Sequence, residues 1–193
     1  MSVIAHTITR VLGSATARKI DFRIGSIGVN GTGLARIQGL VALGTISTRV
    51  VPMEPGVGAQ YDPGANTLEF PSDVFGTTPW ERCTIVHECI HALHDMYGGG
   101  SYHPQQGGSR FTPRSENEAA AYIGGALYYL YETGTALTGT AIFDNAAVIA
   151  QRIANRRGAL VTTAEARALR LAIVLHPKLY NYGFDSPTIA DGV

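Results

Sequence analysis

At 193 residues the chain can bury one hydrophobic core and leaves little room for a second, so a single domain over residues 1–193 is expected. Its 15 basic and 15 acidic residues cancel. That removes the global field that would draw it to nucleic acid or an anionic membrane, and neither partner is expected. Hydrophobic residues at 45% against 16% charged exclude a mainly disordered chain, and the longest apolar run, residues 169–175, is broken by Arg170 and falls far short of the roughly 20 residues of a membrane span.

Residues 1–10 carry no basic stretch leading an apolar segment, so no secretory signal is expected. The reading is a cytoplasmic protein, or one delivered by a route other than general secretion. Residues 3–9 alternate weakly and residues 46–53 are β-branched, ending near Pro52 and Pro55; both are expected to be strands. Between them Leu34, Ile37, Leu40, Val41 and Leu43 recur at helical spacing, with Thr32 as the cap and Gly44 as the stop. A turn through Pro63 and Gly64 then precedes a short strand at residues 67–70, either a substrate-binding edge or an ordinary strand of the sheet.

The clearest local signal is Thr78-Pro79-Trp80-Glu81, a capping box with proline at the first helical position. The helix it starts is expected to run to Tyr97, where Gly98-Gly99-Gly100 ends it. Residues 98–114 read as a long loop. Further helices are expected over residues 115–131, over residues 145–157 from a cap at Asp144, and over residues 163–175 from Thr162 with Glu165. The tail beyond His176 is expected to be irregular. Together these elements predict an α+β fold: a small mixed sheet, an active-site helix and a mainly helical C-terminal half.

The helix from Pro79 carries His87-Glu88-Cys89-Ile90-His91. At 100° per residue His91 stands about 40° from His87 and one turn away, so the two imidazoles can chelate one metal ion. Glu88 falls about 100° round, on the flank of that face, where it can act as a general base without being a ligand. Ile85, Val86, Cys89, Ala92, Leu93 and Met96 make an apolar stripe on the opposite side, which turns the histidines toward a cleft.

A catalytic zinc site keeps three protein ligands and one open position. His94 lies seven residues from His87, too far along the axis to join the pair, and is expected to be exposed or to support a ligand. Cys83 could form an alternative pair with His87, but that would leave the placement of His91 and Glu88 unexplained. On the following helix Glu118, Tyr122, Gly125 and Tyr129 share a face while Glu116 points away, and the alanines and paired glycines there would let it pack close enough to bring Glu118 to the metal. Cys83 and Cys89, six residues apart on one helix, stand about 9 Å apart along its axis, too far for a disulfide.

At these residues the chain resembles the zincin metallopeptidases, and within them the gluzincin type, whose His-Glu-x-x-His helix precedes a second helix bearing a glutamate ligand. Asn117-Glu118 matches the start of that second helix in thermolysin-like enzymes, and Glu116-x-Glu118-Ala119-Ala120-x-Tyr122-Ile123 is similar to the ImmA/IrrE group. The resemblance runs from the strand at residues 67–70 to the second helix. It implies a zincin-like fold, one Zn2+ per chain held by His87, His91 and Glu118, and Glu88 as the base that deprotonates the attacking water. Tyr122 stands where thermolysin-like enzymes carry an aspartate, so one ligand histidine is left without an obvious partner. Metzincins are excluded by His94 and Tyr97.

Candidates for stabilising the oxyanion are Tyr102, His103, Tyr122, His176, Tyr180 and Tyr182. The expected activity is cleavage of a peptide or protein substrate by an endopeptidase. A toxin or effector with a cognate inhibitor or delivery partner fits the same features by analogy at the level of the fold. Two alternatives are a non-catalytic module that zinc merely locks together, and a zinc amidase acting on a non-protein amide.

Overall fold

The computed structural model describes residues 1–96 and 113–176, and the fold is α+β. The first element, α1 (Val3–Leu12), is a helix where the alternation of residues 3–9 predicts a strand. Its β-branched residues suggest a strand, yet the buried ones, Ile4, Ala5, Ile8, Val11 and Leu12, follow the period of a helix. The Ser2 hydroxyl oxygen caps it by accepting the Ala5 N–H at 3.2 Å. Ser14 caps the short α2 (Ala15–Arg18) in the same way.

A hairpin follows, β1 (Asp21–Ile24) and β2 (Ile27–Asn30), turned through Gly25 at φ 51°. Asn30 ends β2 and starts α3 (Gly31–Ala42): its Oδ1 accepts the Gly33 N–H at 2.8 Å, so Asn30 is the cap and Thr32 lies inside the first turn. Next come β3 (Ser47–Val50), β4 (Gln60–Asp62) and β5 (Thr67–Phe70). They form a sheet in the order β3-β5-β4, with β3 parallel and β4 antiparallel to the central strand. The strand at residues 67–70 is therefore the buried middle of this sheet, and β3 and β4 are its edges.

Helix α4 (Pro79–Met96) begins at the expected box, with Glu81 N–H bonded to Thr78 Oγ1 at 3.2 Å and Thr78 N–H to Glu81 Oε2 at 2.8 Å. Helix α5 (Arg114–Thr133) runs antiparallel to it, since Arg82 meets Glu132 at one end and His91 meets Asn117 at the other. The close approach rests on glycine. A Cβ on Gly124 would collide with Ile90 Cδ1, and one on Gly125 would stand 3.1 Å from the Cys83 carbonyl oxygen.

Helix α6 (Ala141–Ile153) starts four residues before the position expected from Asp144, because Thr140 is the cap; its Oγ1 accepts the Phe143 N–H at 3.2 Å. Then β6 (Ala159–Leu160) pairs in parallel with β1, so the sheet is β2-β1-β6 and the structure holds two small mixed sheets where one was expected. Helix α7 (Thr163–Val174) carries the predicted capping box of Thr162 and Glu165. Buried hydrophobic residues from α1, α3, α4, α5 and α6 join one cluster. Among the described residues no helix is long and apolar enough to cross a membrane, and Cys83 and Cys89 are both free and buried.

Candidate metal centre

Helix α4 brings its two histidines together as their spacing requires. His87 Nε2 and His91 Nε2 are 3.1 Å apart, and Glu118 Oε2 from α5 lies 3.6 Å from each. Ligands at about 2.0–2.1 Å in a tetrahedral shell stand about 3.3 Å from one another, so these separations suit a single small cation. The three donor atoms all lie within 4.8 Å of one another, and among the described residues no other group of three His, Cys, Asp or Glu side chains converges in this way. Two imidazoles and one carboxylate also suit zinc chemically.

The paired glycines explain how Glu118 arrives. Without side chains at 124 and 125, α5 presses onto α4 at Ile90 and Cys83, and the turn that bears Glu118 is carried to the turn between His87 and His91. Glu116 points away as predicted, with its Oε2 3.8 Å from Arg170 Nη1 of α7. Asn117 Oδ1 lies 3.2 Å from His91 Nδ1. With Nδ1–H donating to that oxygen, the Nε2 lone pair is directed at the centre. The other histidine packs its ring edge-on against Tyr122, with centroids 4.5 Å apart, and Tyr122 stacks in turn against Phe143 of α6.

Burial alone would push the His91 pKa down, but the charge of Glu118 beside it, helped by Glu88 and Asn117, carries it up to about 9 in the metal-free chain. Burial would likewise raise Glu118, yet His91 and His87 hold it well below the usual carboxylate range. His87, His91 and Glu118 would hold a metal ion here through two neutral imidazole nitrogens and one carboxylate oxygen.

Glu88 stands on the flank of this group, with Oε1 4.0 Å from His87 Nε2, and lies outside the set of converging donors. It is buried, which raises its pKa, and its Oε2 accepts the Tyr61 main-chain N–H at 2.9 Å. A buried carboxylate of raised pKa, with one oxygen held by the main chain and the other on the side of His87, has the properties of a general base.

The group opens into a cavity of about 680 Å³ that extends between β4, α4, α5 and α6. Trp80, at the start of α4, is 42% exposed and forms part of its wall. Of the oxyanion candidates, Tyr122 and His176 also line it; Tyr102, His103, Tyr180 and Tyr182 lie outside the described residues.

His94 is a correction to exposure: it is buried, and burial pushes its imidazole down to about 4, so it is neutral at ordinary pH and stands apart from the converging donors. Cys83 is no alternative ligand either. Its thiol donates to the Trp80 carbonyl at 3.0 Å, and burial pushes its pKa up to about 12, away from the thiolate a metal needs. The sequence reading missed Tyr61, which reaches from an edge strand of three residues to both Glu88 and Asp95 of α4. It also assigned no contact to Asn117, although that residue directly precedes the glutamate ligand candidate.

No protein-family model, curated protein or solved structure gives a significant match to this chain. The functional reading therefore stands on the geometry of the site.

Proposed function

We propose that the chain is a zinc-dependent metallopeptidase of zincin-like fold, an endopeptidase acting on a peptide or protein substrate. The observation that carries this reading is the convergence of His87 Nε2, His91 Nε2 and Glu118 Oε2, with Glu88 beside them, on the wall of a cavity. Bound there, zinc supplies Lewis-acid polarisation of a carbonyl oxygen and lowers the pKa of water. Glu88 takes the proton of the attacking water and returns it to the leaving amine nitrogen. Asn117 holds His91 in the tautomer that leaves Nε2 unprotonated, while Tyr122 and His176 are the described candidates to donate to the developing oxyanion.

Three converging protein donors favour an enzyme over a zinc-locked module, because structural zinc sites close with a fourth protein ligand and the described residues bring only three together. The test is zinc content and cleavage of a broad peptide library for wild type and Glu88→Ala side by side. We expect about one zinc per chain in both and a loss of cleavage on the order of a thousandfold in the variant. A wild type that holds zinc and cleaves no peptide moves the reading to another amide or to a structural site, and a wild type without zinc overturns it.

A further inference from the structure

Glu88 and Asp95 lie seven residues apart on α4. Two turns of helix put them on the same face, about 10 Å apart along the axis. Both are buried, at 7% and 6% exposure. One residue of the edge strand reaches both. The Tyr61 main-chain N–H donates to Glu88 Oε2 at 2.9 Å, and the Tyr61 hydroxyl donates to Asp95 Oδ2 at 2.8 Å.

The strand's own pairing makes this reach possible. Tyr61 sits opposite Leu68 in the middle of β4, and its N–H turns away from β5 toward α4. Asn66, at φ 47° between β4 and β5, places its Oδ1 3.0 Å from the same hydroxyl, whose single proton is shared between it and Asp95 Oδ2, while the Asn66 amide donates to the Thr45 carbonyl at 2.9 Å. The ring of Tyr61 is thereby fixed at its far end, and its amide at the near end.

We infer that Tyr61 and Asp95 are positioning residues for Glu88: a two-point clamp that ties β4 to α4 and sets the direction of the Glu88 carboxylate. With Oε2 held by the strand, Oε1 is left on the side of His87, 4.0 Å from its Nε2. A carboxylate that acts as a base must present one oxygen at a fixed angle, and a shift of about 1 Å can cost on the order of a hundredfold in rate. Asp95 acts on this through Tyr61, two turns away along α4. The catalytic half of the inference rests on the peptidase reading; the clamp itself does not.

The experiment uses the full chain with Tyr61→Phe, Asp95→Asn and Glu88→Ala, followed by zinc content, amide hydrogen exchange and cleavage kinetics. Tyr61→Phe keeps the ring and loses only the hydroxyl. We expect it to retain its zinc, to exchange the position-61 amide about tenfold faster while the Leu68 and Glu69 amides of β5 stay protected, and to lose about tenfold in kcat with KM little changed. Asp95→Asn, whose side-chain oxygen still accepts, should fall between wild type and Tyr61→Phe. Glu88→Ala should speed the same amide with Tyr61 intact, which identifies the acceptor. If the position-61 amide in Tyr61→Phe exchanges no faster than in wild type, or if β5 loosens equally, the clamp is overturned; an unchanged kcat overturns the positioning role. A wild type that cleaves no peptide removes the peptidase reading alone, since amide exchange still decides the clamp.

Discussion

Two clusters of charged side chains show opposite kinds of completeness. Where α6 meets α7, Glu165 takes Arg152 Nη2 at 2.6 Å, the Thr162 N–H at 2.8 Å and the Thr162 hydroxyl at 2.7 Å, and it also pairs with Arg152 Nε. Arg152 Nη2 donates in addition to the Leu160 carbonyl at 2.9 Å. These donors find acceptors within the chain, and the set locks a helix start in place. Between α4 and α5 the logic is reversed. Three groups that can each offer a lone pair face one point, and the carboxylate of Glu118 beside His91 raises the pKa of its imidazole. The first cluster supplies its own cation through Arg152, whereas the second is a donor set that could hold a cation from outside.

The comparison breaks if the central donors can be removed without consequence. His91→Ala should have the largest effect, loss of stoichiometric zinc together with all cleavage, read by metal analysis and peptide assay. A variant that still binds one tight equivalent would show that the donors converge for another reason. Asn117→Ala sharpens the same point one contact further out: it leaves all three donors in place but frees the His91 ring, so zinc should bind about 10 to 100 times more weakly in a competition with a chelator.

How much of this was legible depends on whether the signal was local. Helix α4 could be read from its capping box, its apolar stripe and the spacing of His87 and His91, all within a few turns of one helix. Glu118 could be placed because small residues at 119–121 and 124–125 announced close packing of α5. Helix α1 was misread because Val, Ile and Thr suggested a strand while the burial period was helical. The hairpin of β1 and β2 went unassigned even though Phe22, Ile24, Ile27 and Val29 alternate around Gly25-Ser26, a two-residue turn signal. Tyr61 could not be read at all. It holds Glu88 through a main-chain N–H, which any residue but proline possesses, and the register that aims it is a tertiary fact.

A smaller effect tests how the site is brought together. Gly124→Ala adds one methyl group where Ile90 Cδ1 already stands, so α5 must back away or Ile90 must leave its rotamer. Overpacking of this kind costs about 1–3 kcal/mol. We expect a lower Tm and, because Glu118 rides on the same helix, weaker zinc binding in proportion. A loss of Tm with unchanged zinc affinity would show that the centre is set by α4 and the start of α5 alone.

The smallest effect belongs to the self-completed cluster, and its sign follows from the shift. Burial would raise Glu165, but Arg152 and the Thr162 cap outweigh it and hold the carboxyl down at about 2, against an ordinary 4.5. The unfolded chain therefore takes up this proton at higher pH than the folded one. The stabilisation is fully present above about pH 4.5 and is lost as the pH falls toward 2. Because the pair is partly open to solvent, Glu165→Gln should cost no more than about 1 kcal/mol near neutral pH. Urea unfolding of wild type and Glu165→Gln from pH 5 downward checks this: the two stabilities should converge as the acid limb is descended. A gap that stays constant to pH 2 would mean that Glu165 acts through shape and hydrogen bonding alone, and the contrast in charge between the two clusters would lose one of its sides.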